Sequence, residues 1–309
     1  MQSYGFILVT GGLGFIGHHT VVRFLAQNCR VRVLDNLSTG CRENLPENAL
    51  NNPNLEIIEG DIRDFASCTH AMDGVDAVLH LAAQVSVPKS IEDPVKSAET
   101  NVSGFLNILD AARQKEKMPR IVYASSAATY GATEGACEET AKATALSPYG
   151  LEKQLNEEYA KLYQNLYGLQ TMGLRYFNVY GPGQDPASDY AGVLAKFAGQ
   201  ITDGTPLTIF GDGEQTRDFV FVKDVAAANY NAIQSDATGV SNIASGKSVT
   251  LNQLIDTIED ILNSTVERAY KAPRAGDIKH STADMGKARE FLTSSTDLKS
   301  GLKDLLKTC

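Results

Sequence analysis

The stretch Thr10-Gly11-Gly12-Leu13-Gly14-Phe15-Ile16-Gly17 lies between a short apolar run and a stretch of helical composition, near the start of the 309-residue chain. In a strand-to-helix turn with this spacing, Gly11 permits the tight turn and Gly14 lets the backbone approach a pyrophosphate. Gly17 allows the helix to pack closely on the strand, and the positive end of the helix dipole then faces the anion. The stretch therefore predicts a dinucleotide site after the first strand.

Acidic and small residues at later strand ends extend this site. Asp35 ends the second apolar run, where a carboxylate can accept hydrogen bonds from an adenosine ribose and would repel a 2′-phosphate, so we expect NAD rather than NADP. Asp61 follows the third run and can reach the adenine amino group, or it can simply cap the next helix. Ala82 and Ala83 follow the fourth run and leave room for the cofactor. We expect further cofactor contacts at Phe15, Ile16, Asn36, Ile62, Leu81, Asn101 and Tyr176.

Short apolar runs rich in Val, Ile and Leu recur along the first part of the chain, at 6–10, 30–35, 55–59, 76–81, 120–124 and 171–176. Such runs are typical of strands that are buried on both faces of a parallel sheet. Helical stretches alternate with them, at 15–28, 94–116 and 149–167. The alternation predicts an α/β fold, a doubly wound parallel sheet of the Rossmann type.

The pattern changes after residue 180, where Gly181-Pro182-Gly183 is followed by shorter helix and strand segments. We predict a nucleotide-binding domain over 1–180 and a smaller C-terminal α/β substrate lobe over 181–309. Because segment 224–234 is helical in composition, part of 224–245 is expected to return to the first domain.

Composition limits the possible partners. No apolar run reaches the length of about eighteen residues that a membrane span needs, and the N-terminus has no secretory pattern, so we expect a soluble cytoplasmic protein with no membrane partner. The net charge of −9 argues against a nucleic-acid partner, which would need a basic footprint. The five cysteines are scattered without a CxxC pair and there is no HxxxH pair, so we expect free thiols and no metal site.

Tyr149 and Lys153 form a candidate catalytic pair. Ser147 and Pro148 have the composition of a helix start, which would put both residues on one face of the first turns. A free tyrosine, with a pKa of roughly 10, is a poor base at neutral pH. The Lys153 ammonium and a positively charged nicotinamide would favour tyrosinate and draw the pKa of Tyr149 toward the working pH.

Other residues of this region are assigned from their position. The strand 121–124 leads into Ser125 and Ser126, whose hydroxyls would lie at the carboxyl edge of the sheet, although serines at strand ends are also common in plain turns. Glu152 and Glu157 are expected on the solvated face of the helix. A packing stripe is expected from Leu151, Leu155, Leu162 and Leu166.

Taken together, four motifs carry a resemblance that covers nearly the whole chain. They are the glycine stretch, the serine segment ending in TYG at 129–131, SPYGLEK at 147–153 and RYFNVYGPGQ at 175–184. With these motifs the chain resembles the extended short-chain dehydrogenases/reductases, in particular the UDP-glucose and UDP-N-acetylglucosamine 4-epimerases. Two later runs, at 211–225 and 274–284, are similar to those of the same family.

The resemblance implies an NAD-dependent enzyme that inverts C4 of a UDP-hexose through a transient 4-keto sugar. It implies Ser126, Tyr149 and Lys153 as catalytic residues and a homodimer packed through helices 94–116 and 149–167. It also implies substrate contacts: Asn178 at the diphosphate, Arg217 and Arg274 on the UDP, Asp277 at the uridine ribose, and Ser281 in the wall of the sugar pocket. A small residue at Ser281 would leave room for a 2-N-acetyl group, unless this serine merely caps a helix before Asp284.

Departures from related enzymes narrow the reaction. Related 4,6-dehydratases carry Asp-Glu directly after the catalytic hydroxyl residue and related decarboxylases carry a glutamate there, whereas this chain has Ala127 and Ala128. Epimerisation is therefore what remains. Two alternatives stay open, a UDP-glucuronate 4-epimerase and a non-catalytic NAD-binding regulator on the same fold.

Overall fold

The computed structural model describes residues 4–133, 135–185, 192–273, 279–293 and 295–307. Within these ranges the strands are β1 (Phe6–Thr10), β2 (Arg30–Asp35), β3 (Leu55–Glu59), β4 (Ala77–His80), β5 (Arg120–Ser126), β6 (Thr171–Tyr176), β7 (Asn178–Tyr180), β8 (Leu207–Phe210), β9 (Thr216–Phe221), β10 (Gly239–Ile243), β11 (Ser248–Thr250) and β12 (Arg268–Lys271).

The helices of the same ranges are α1 (Phe15–Ala26), α2 (Glu47–Leu50), α3 (Phe65–Ala71), α4 (Val87–Glu92), α5 (Pro94–Ala98), α6 (Gly104–Arg113), α7 (Pro148–Tyr167), α8 (Val193–Thr202), α9 (Val222–Gln234), α10 (Leu251–Leu262) and α11 (Leu298–Leu306). A π-helical turn, Glu99–Ser103, joins α5 to α6. The helical stretch expected over 94–116 is confirmed as continuous helix from Pro94 to Arg113, with the π turn as an irregularity inside it.

A seven-stranded sheet forms the centre of the molecule, in the order β10-β6-β5-β4-β1-β2-β3, and every neighbouring pair is parallel. Helices α1 and α9 cover one face, where Phe24 and Val225 enter a shared core. Helices α3, α6 and α7 cover the other face around residues such as Phe105 and Ile108. The predicted doubly wound Rossmann-type sheet is confirmed.

The C-terminal part adds smaller sheets to this layer. Strands β11, β9 and β7 form one sheet, and β12 pairs with β8 in another. A separate apolar core, which includes Phe197, Ile209, Leu254 and Leu302, lies among them. In contrast, β10 joins the large sheet beside β6, although it follows the first strands of the smaller sheets in the chain. Because the strands of the large sheet are parallel, the carboxyl ends of β1, β2, β4, β5 and β6 lie along one edge of it.

Helix α7 begins and ends where its sequence dictates. The Ser147 hydroxyl accepts a hydrogen bond from the Gly150 amide at 3.1 Å, and Pro148 occupies the first helical position. Gly168 ends the helix with a φ of +73°, and its amide donates to the Gln164 carbonyl. The predicted helix start is confirmed, and it fixes the first turns of α7 beside the end of β5.

No helix in the described ranges is long and apolar enough to cross a membrane. Among the same residues, Cys29, Cys41, Cys68 and Cys137 are free thiols, and no group of three or more His, Cys, Asp or Glu side chains could hold a metal ion.

Candidate active site

The glycine turn between β1 and α1 is shaped for a close backbone approach. Gly11 has a φ of +67°, and a Cβ there would lie 2.7 Å from the Ala82 nitrogen. A Cβ on Gly17 would lie 2.1 Å from the Gly11 carbonyl oxygen, so neither position accepts a side chain. Gly14 caps α1 without a side-chain hydrogen bond, and the first turn of α1 holds no acidic residue. The first amides of α1 and its positive end therefore fit the pyrophosphate of a dinucleotide.

Asp35 lies buried at the end of β2 and is bonded to the glycine turn. Its Oδ2 accepts a hydrogen bond from the Leu13 amide at 3.0 Å, and its Oδ1 accepts one from the Leu37 amide at 2.9 Å. Each carboxylate oxygen can accept further bonds, so these contacts leave capacity for ribose hydroxyls. Asp35 thus holds the glycine turn against β2 in addition to any contact with a cofactor.

Asp61 is fixed by polar neighbours at the same edge. Asn36 donates to its Oδ2 at 2.9 Å, and Arg63 donates from Nε to Oδ1 at 3.0 Å and from Nη2 to Oδ2 at 2.7 Å. The hydrogen bond from Arg63 holds the pKa of Asp61 well below its usual range. Asp64, and not Asp61, caps α3 by accepting from the Ser67 amide, so the alternative interpretation of Asp61 as a helix cap is wrong. Arg63 was not predicted as a partner of Asp61, although it lies only two residues further along the chain.

The end of β4 lies against the glycine turn. The Ala82 amide donates to the Thr10 hydroxyl at 3.2 Å, and the His80 Nδ1 lies 2.8 Å from the same hydroxyl. His80 is fully enclosed, and burial lowers its pKa to about 3, so the ring is neutral. Four apolar positions at this edge, namely Phe15, Ile16, Leu81 and Ala83, remain partly accessible, whereas Ile62 is buried in the core.

Ser126, Tyr149 and Lys153 meet at the end of β5. The Ser126 side chain lies close enough to the Tyr149 phenol to lower its pKa. Lys153 is 2 % exposed, and its Nζ lies 5.8 Å from the centre of the Tyr149 ring and donates to the Ala124 carbonyl at 2.9 Å. A hydroxyl, a phenol and an amine therefore converge at one point on the sheet edge.

Burial dominates the protonation of this pair. It raises the pKa of Tyr149 to about 12, against the effect of the nearby Ser126 side chain and together with the charge of Glu152. Burial also lowers the pKa of Lys153 to about 8, against the charges of Glu152 and Glu157. The chain by itself therefore does not draw the pKa of Tyr149 downward as expected, because both groups lose water and a carboxylate lies close to them.

The assignment of Glu152 and Glu157 to a solvated face is wrong. Glu152 is 4 % exposed and accepts hydrogen bonds at Oε2 from Ser97 Oγ at 2.8 Å and from Asn101 Nδ2 at 2.6 Å. Glu157 forms a bidentate ion pair with Arg175, at 2.8 and 2.6 Å, and also accepts from the Ser125 hydroxyl. The packing stripe expected on this helix does not enter the core of the chain either, since Leu151, Leu155, Leu162 and Leu166 are all exposed. The helix therefore encloses Glu152 and Glu157 and exposes these four leucines.

Asn101 holds the loop that follows β4. Its Oδ1 accepts from the Gln84 amide and its Nδ2 donates to the Gln84 carbonyl, both at 2.8 Å. Tyr176, at the end of β6, is 7 % exposed and donates its hydroxyl to Asn229 Oδ1 at 2.6 Å. The polar groups of both candidate cofactor residues are thus engaged within the protein, so any contact with a cofactor would use their remaining atoms.

The candidate substrate residues lie around β9. Asn178 Nδ2 donates to the Asp218 carbonyl at 3.1 Å, and the Arg217 guanidinium donates to the Thr216 carbonyl at 2.9 Å. Ser281 is partly buried, and it follows His280, whose bridge to Thr216 brings this segment beside Arg217. Ser281 precedes no helix, so its alternative interpretation as a helix cap is wrong. Arg274 and Asp277 lie outside the described residues.

Asp218 is a buried acid that the motifs did not single out. Its Oδ1 accepts from the Ser245 amide at 2.8 Å and from the Ser245 hydroxyl at 2.7 Å, and its Oδ2 accepts from the Gly246 amide at 3.0 Å and the Ala283 amide at 3.2 Å. With Asn178 on its carbonyl, Asp218 joins three segments around the candidate substrate residues. A carboxylate that needs four donors from distant positions has no local sequence signal.

Comparison with known proteins agrees with this geometry. The NAD dependent epimerase/dehydratase family matches residues 7–244. A putative UDP-glucose 4-epimerase of Methanocaldococcus jannaschii is 42 % identical over 302 residues, which cover 96 % of each chain. The solved UDP-N-acetylglucosamine 4-epimerase of Methanobrevibacter ruminantium M1, in complex with UDP-N-acetylmuramic acid, superposes with a TM-score of 0.93 at 39 % identity, covering 100 % of this chain and 98 % of the other.

A second solved structure bears on the cofactor. The UDP-glucose 4-epimerase of Thermus thermophilus, in complex with NAD, has a TM-score of 0.89 at 36 % identity over 98 % of both chains. The chain belongs to the NAD-dependent epimerase/dehydratase family. Within that family it is an NAD-dependent UDP-sugar 4-epimerase.

Proposed function

We propose that this protein interconverts UDP-N-acetylglucosamine with UDP-N-acetylgalactosamine, and UDP-glucose with UDP-galactose, by inverting C4 of the sugar. The observation that carries the proposal is the meeting of Ser126, Tyr149 and Lys153 at the sheet edge, next to a glycine turn that fits a pyrophosphate. A phenol that can exchange a proton with a sugar hydroxyl, close to a dinucleotide site, is suited to oxidation and reduction of one carbinol carbon.

In this mechanism Tyr149 removes the proton of the sugar 4-hydroxyl, either directly or through the neighbouring Ser126 hydroxyl. When bound, NAD accepts hydride from C4 and returns it to the opposite face of the resulting 4-keto sugar, and its positive ring favours tyrosinate. The Lys153 ammonium, 5.8 Å from the phenol ring, adds to that effect. Tyr149 then returns the proton to the inverted hydroxyl. Ala127 and Ala128 supply no acid for elimination or decarboxylation.

The keto sugar must turn over between the two steps, so the UDP has to be held firmly and the sugar loosely. Asn178 and Arg217 are assigned to the diphosphate and UDP, and Arg274 and Asp277 to the UDP and its ribose. A guanidinium can bind a diphosphate through two hydrogen bonds, which suits an anchor. The bridge between Thr216 and His280 supports the proximity of Arg217 to the wall residue Ser281.

Ser281 is the basis for including the N-acetylated sugars. Its small side chain would leave volume for a 2-N-acetyl group during the turn, whereas a larger side chain would occupy that volume. A UDP-glucuronate 4-epimerase is the alternative, and it would need a cationic or hydroxyl partner for the sugar carboxylate.

The division into an NAD-binding domain over 1–180 and a UDP-sugar lobe over 181–309 is part of the proposal. It is supported by the separate apolar core of the smaller sheets, and β10 with α9 would belong to the first domain. We also propose a cytoplasmic homodimer. The exposed Leu151, Leu155, Leu162 and Leu166 on α7 support pairing through this helix, because a contiguous apolar surface is unfavourable in water.

The proposed function is tested by incubating the purified protein separately with UDP-N-acetylglucosamine, UDP-glucose and UDP-glucuronate and separating the products. We expect the 4-epimers of the first two, with no net formation of NADH. Conversion of UDP-glucuronate alone would assign the protein to the alternative, and stoichiometric NADH would assign it to the dehydrogenases.

A further inference from the structure

The buried carboxylate of Glu152 lies between the catalytic helix and the loop that follows β4. Its Oε2 accepts from Asn101 Nδ2 at 2.6 Å, and the same amide group donates to the Gln84 carbonyl at 2.8 Å. Ser97 Oγ donates to Oε2 at 2.8 Å and accepts from Gln84 Nε2 at 3.2 Å. Glu152 is therefore connected to Gln84 along two routes, through Asn101 and through Ser97.

Residue Gln84 lies two positions after Ala82, which packs against the glycine turn. Gln84 also holds the start of α4, since its Nε2 donates to the Ser86 carbonyl and the Ser86 amide donates to its Oε1. From α4, the Ser90 hydroxyl accepts from the Tyr149 amide at 3.1 Å. These hydrogen bonds thus hold the loop after β4 and the first turn of α7 in a fixed relative position. Of the described side chains that make these contacts, only that of Glu152 is ionisable.

The same carboxylate brings charge to the catalytic pair. Glu152 precedes Lys153 in α7, and its Oε1 is buried with no hydrogen-bond partner among the described residues. No direct ion pair therefore shields this charge there, and it acts on Tyr149 and Lys153 in a region of low dielectric.

We propose that Glu152 is a positioning residue that ties the cofactor-facing loop 81–86 to the catalytic helix and sets the charge beside Tyr149 and Lys153. This inference rests on the catalytic role proposed for that pair. Removing the negative charge makes both the tyrosinate and the neutral amine easier to form, so both titrations move to lower pH. In the Glu152→Gln variant a neutral carboxamide of the same size can still accept a hydrogen bond from Asn101. This variant therefore removes the charge while keeping the hydrogen-bonded connection to the loop.

Other ionisable groups near Glu152 do not replace it. On α7 these are Tyr149, Lys153 and Glu157, and Glu157 is paired with Arg175. From β4, His80 is neutral, because burial and the charge of Lys153 both lower its pKa. The charged side chains of α4, α5 and the π turn are exposed to solvent: Lys89, Glu92, Asp93, Lys96 and Glu99.

The test compares pH profiles of turnover for the holoenzyme and its Glu152→Gln variant. We expect both limbs of the profile to move about one pH unit to the acid side. Glu158→Gln is the matched control, because Glu158 is exposed on the same helix, and its profile should stay in place. An unshifted Glu152→Gln profile, or an equal shift in the control, overturns the charge role.

The hydrogen-bonded connection between Glu152 and the loop 81–86 is tested without measuring turnover. The quantity measured is the rate at which NAD is lost during repeated dilution and filtration. We expect Glu152→Ala to lose NAD roughly tenfold faster than the wild type, the scale of a lost hydrogen bond to a charged group. Glu152→Gln should retain NAD nearly as the wild type does. Equal retention of NAD by the wild type and both variants overturns the proposal that Glu152 holds this loop. If Tyr149→Phe kept full turnover, the proposed catalytic pair would fail independently of these results.

Discussion

The Nζ of Lys153 lies 5.8 Å from the centre of the Tyr149 ring, inside the protein and one helical turn further along α7. This distance places a cation near the phenol without a direct ion pair. Since burial raises the pKa of Tyr149 to about 12 and lowers that of Lys153 to about 8, the phenol is protonated in the cofactor-free chain. Base catalysis at Tyr149 therefore depends on the charges that surround it.

The pH dependence of turnover follows from Lys153. As the pH rises through about 8, the ammonium loses its proton and no longer favours tyrosinate, so we expect turnover to decline on the alkaline side. Initial rates measured across this range, with unfolding monitored in parallel, check the expectation. Turnover that kept rising well above this pH would show that the charge of Lys153 is not needed.

Asp218 is predicted to be essential to the smaller sheets. Asp218→Ala leaves the Ser245, Gly246 and Ala283 donors unpaired, so the free energy of unfolding should fall by about 2–4 kcal/mol. Denaturant unfolding of the two proteins measures this difference. A loss below about 0.5 kcal/mol would contradict the structural role of this carboxylate.

Stability should also vary with pH through Asp218. Burial raises its pKa, so the folded state holds this proton more tightly than the unfolded chain does. This contribution is present below the unfolded pKa and is lost as the pH rises through the folded pKa. Relative to Asp218→Asn, which has no such proton, wild-type stability should therefore decline across this acidic window. A constant difference between the two unfolding curves would show that the proton is held equally in both states.

Ser281 is predicted to set the breadth of substrates. Ser281→Tyr should abolish conversion of the N-acetylated sugars and spare UDP-galactose, because overpacking of a filled pocket costs about 1–3 kcal/mol or more. Ser281→Ala is the matched control and should convert both pairs. An equal loss for both substrate pairs in Ser281→Tyr would mean that another residue limits the pocket.

The exposed leucines of α7 predict a subunit interface. Leu162→Glu should dissociate the proposed homodimer, because it places a charge in the centre of the apolar stripe. Light scattering after gel filtration gives the mass directly. Leu50→Glu, on the distant helix α2, is the control and should leave the mass unchanged. A wild-type monomer would remove the proposed role of the stripe.

Much of the fold could be predicted because it depends on local patterns. The bounds of β1, β2, β3 and β6 agree with apolar runs in the sequence, and the glycine turn depends on residues close together in the chain. The helical face of α7 could not be predicted in this way. Composition assigns its glutamates to water, whereas Ser97, Asn101 and Arg175, from distant segments, provide buried partners for them.

The candidate site shows the same division between local and distant interactions. Tyr149 and Lys153 follow from a helix start that is readable locally, whereas Ser126 is selected among the hydroxyls at the end of the strand by the family resemblance. In the chain without cofactor, burial, which depends on the whole fold and has no local sequence signal, raises the pKa of Tyr149. Asp218 was missed for a similar reason, since its four donors come from residues far along the chain.

The most direct measurement is the turnover of Tyr149→Phe with UDP-N-acetylglucosamine and UDP-glucose, using protein that retains NAD and a wild-type unfolding curve. Phenylalanine keeps the ring and removes only the hydroxyl that lies beside Ser126. We expect turnover to fall about a hundredfold or more, the scale of a lost acid–base group. Turnover within about threefold of the wild type on either sugar would contradict proton transfer at Tyr149.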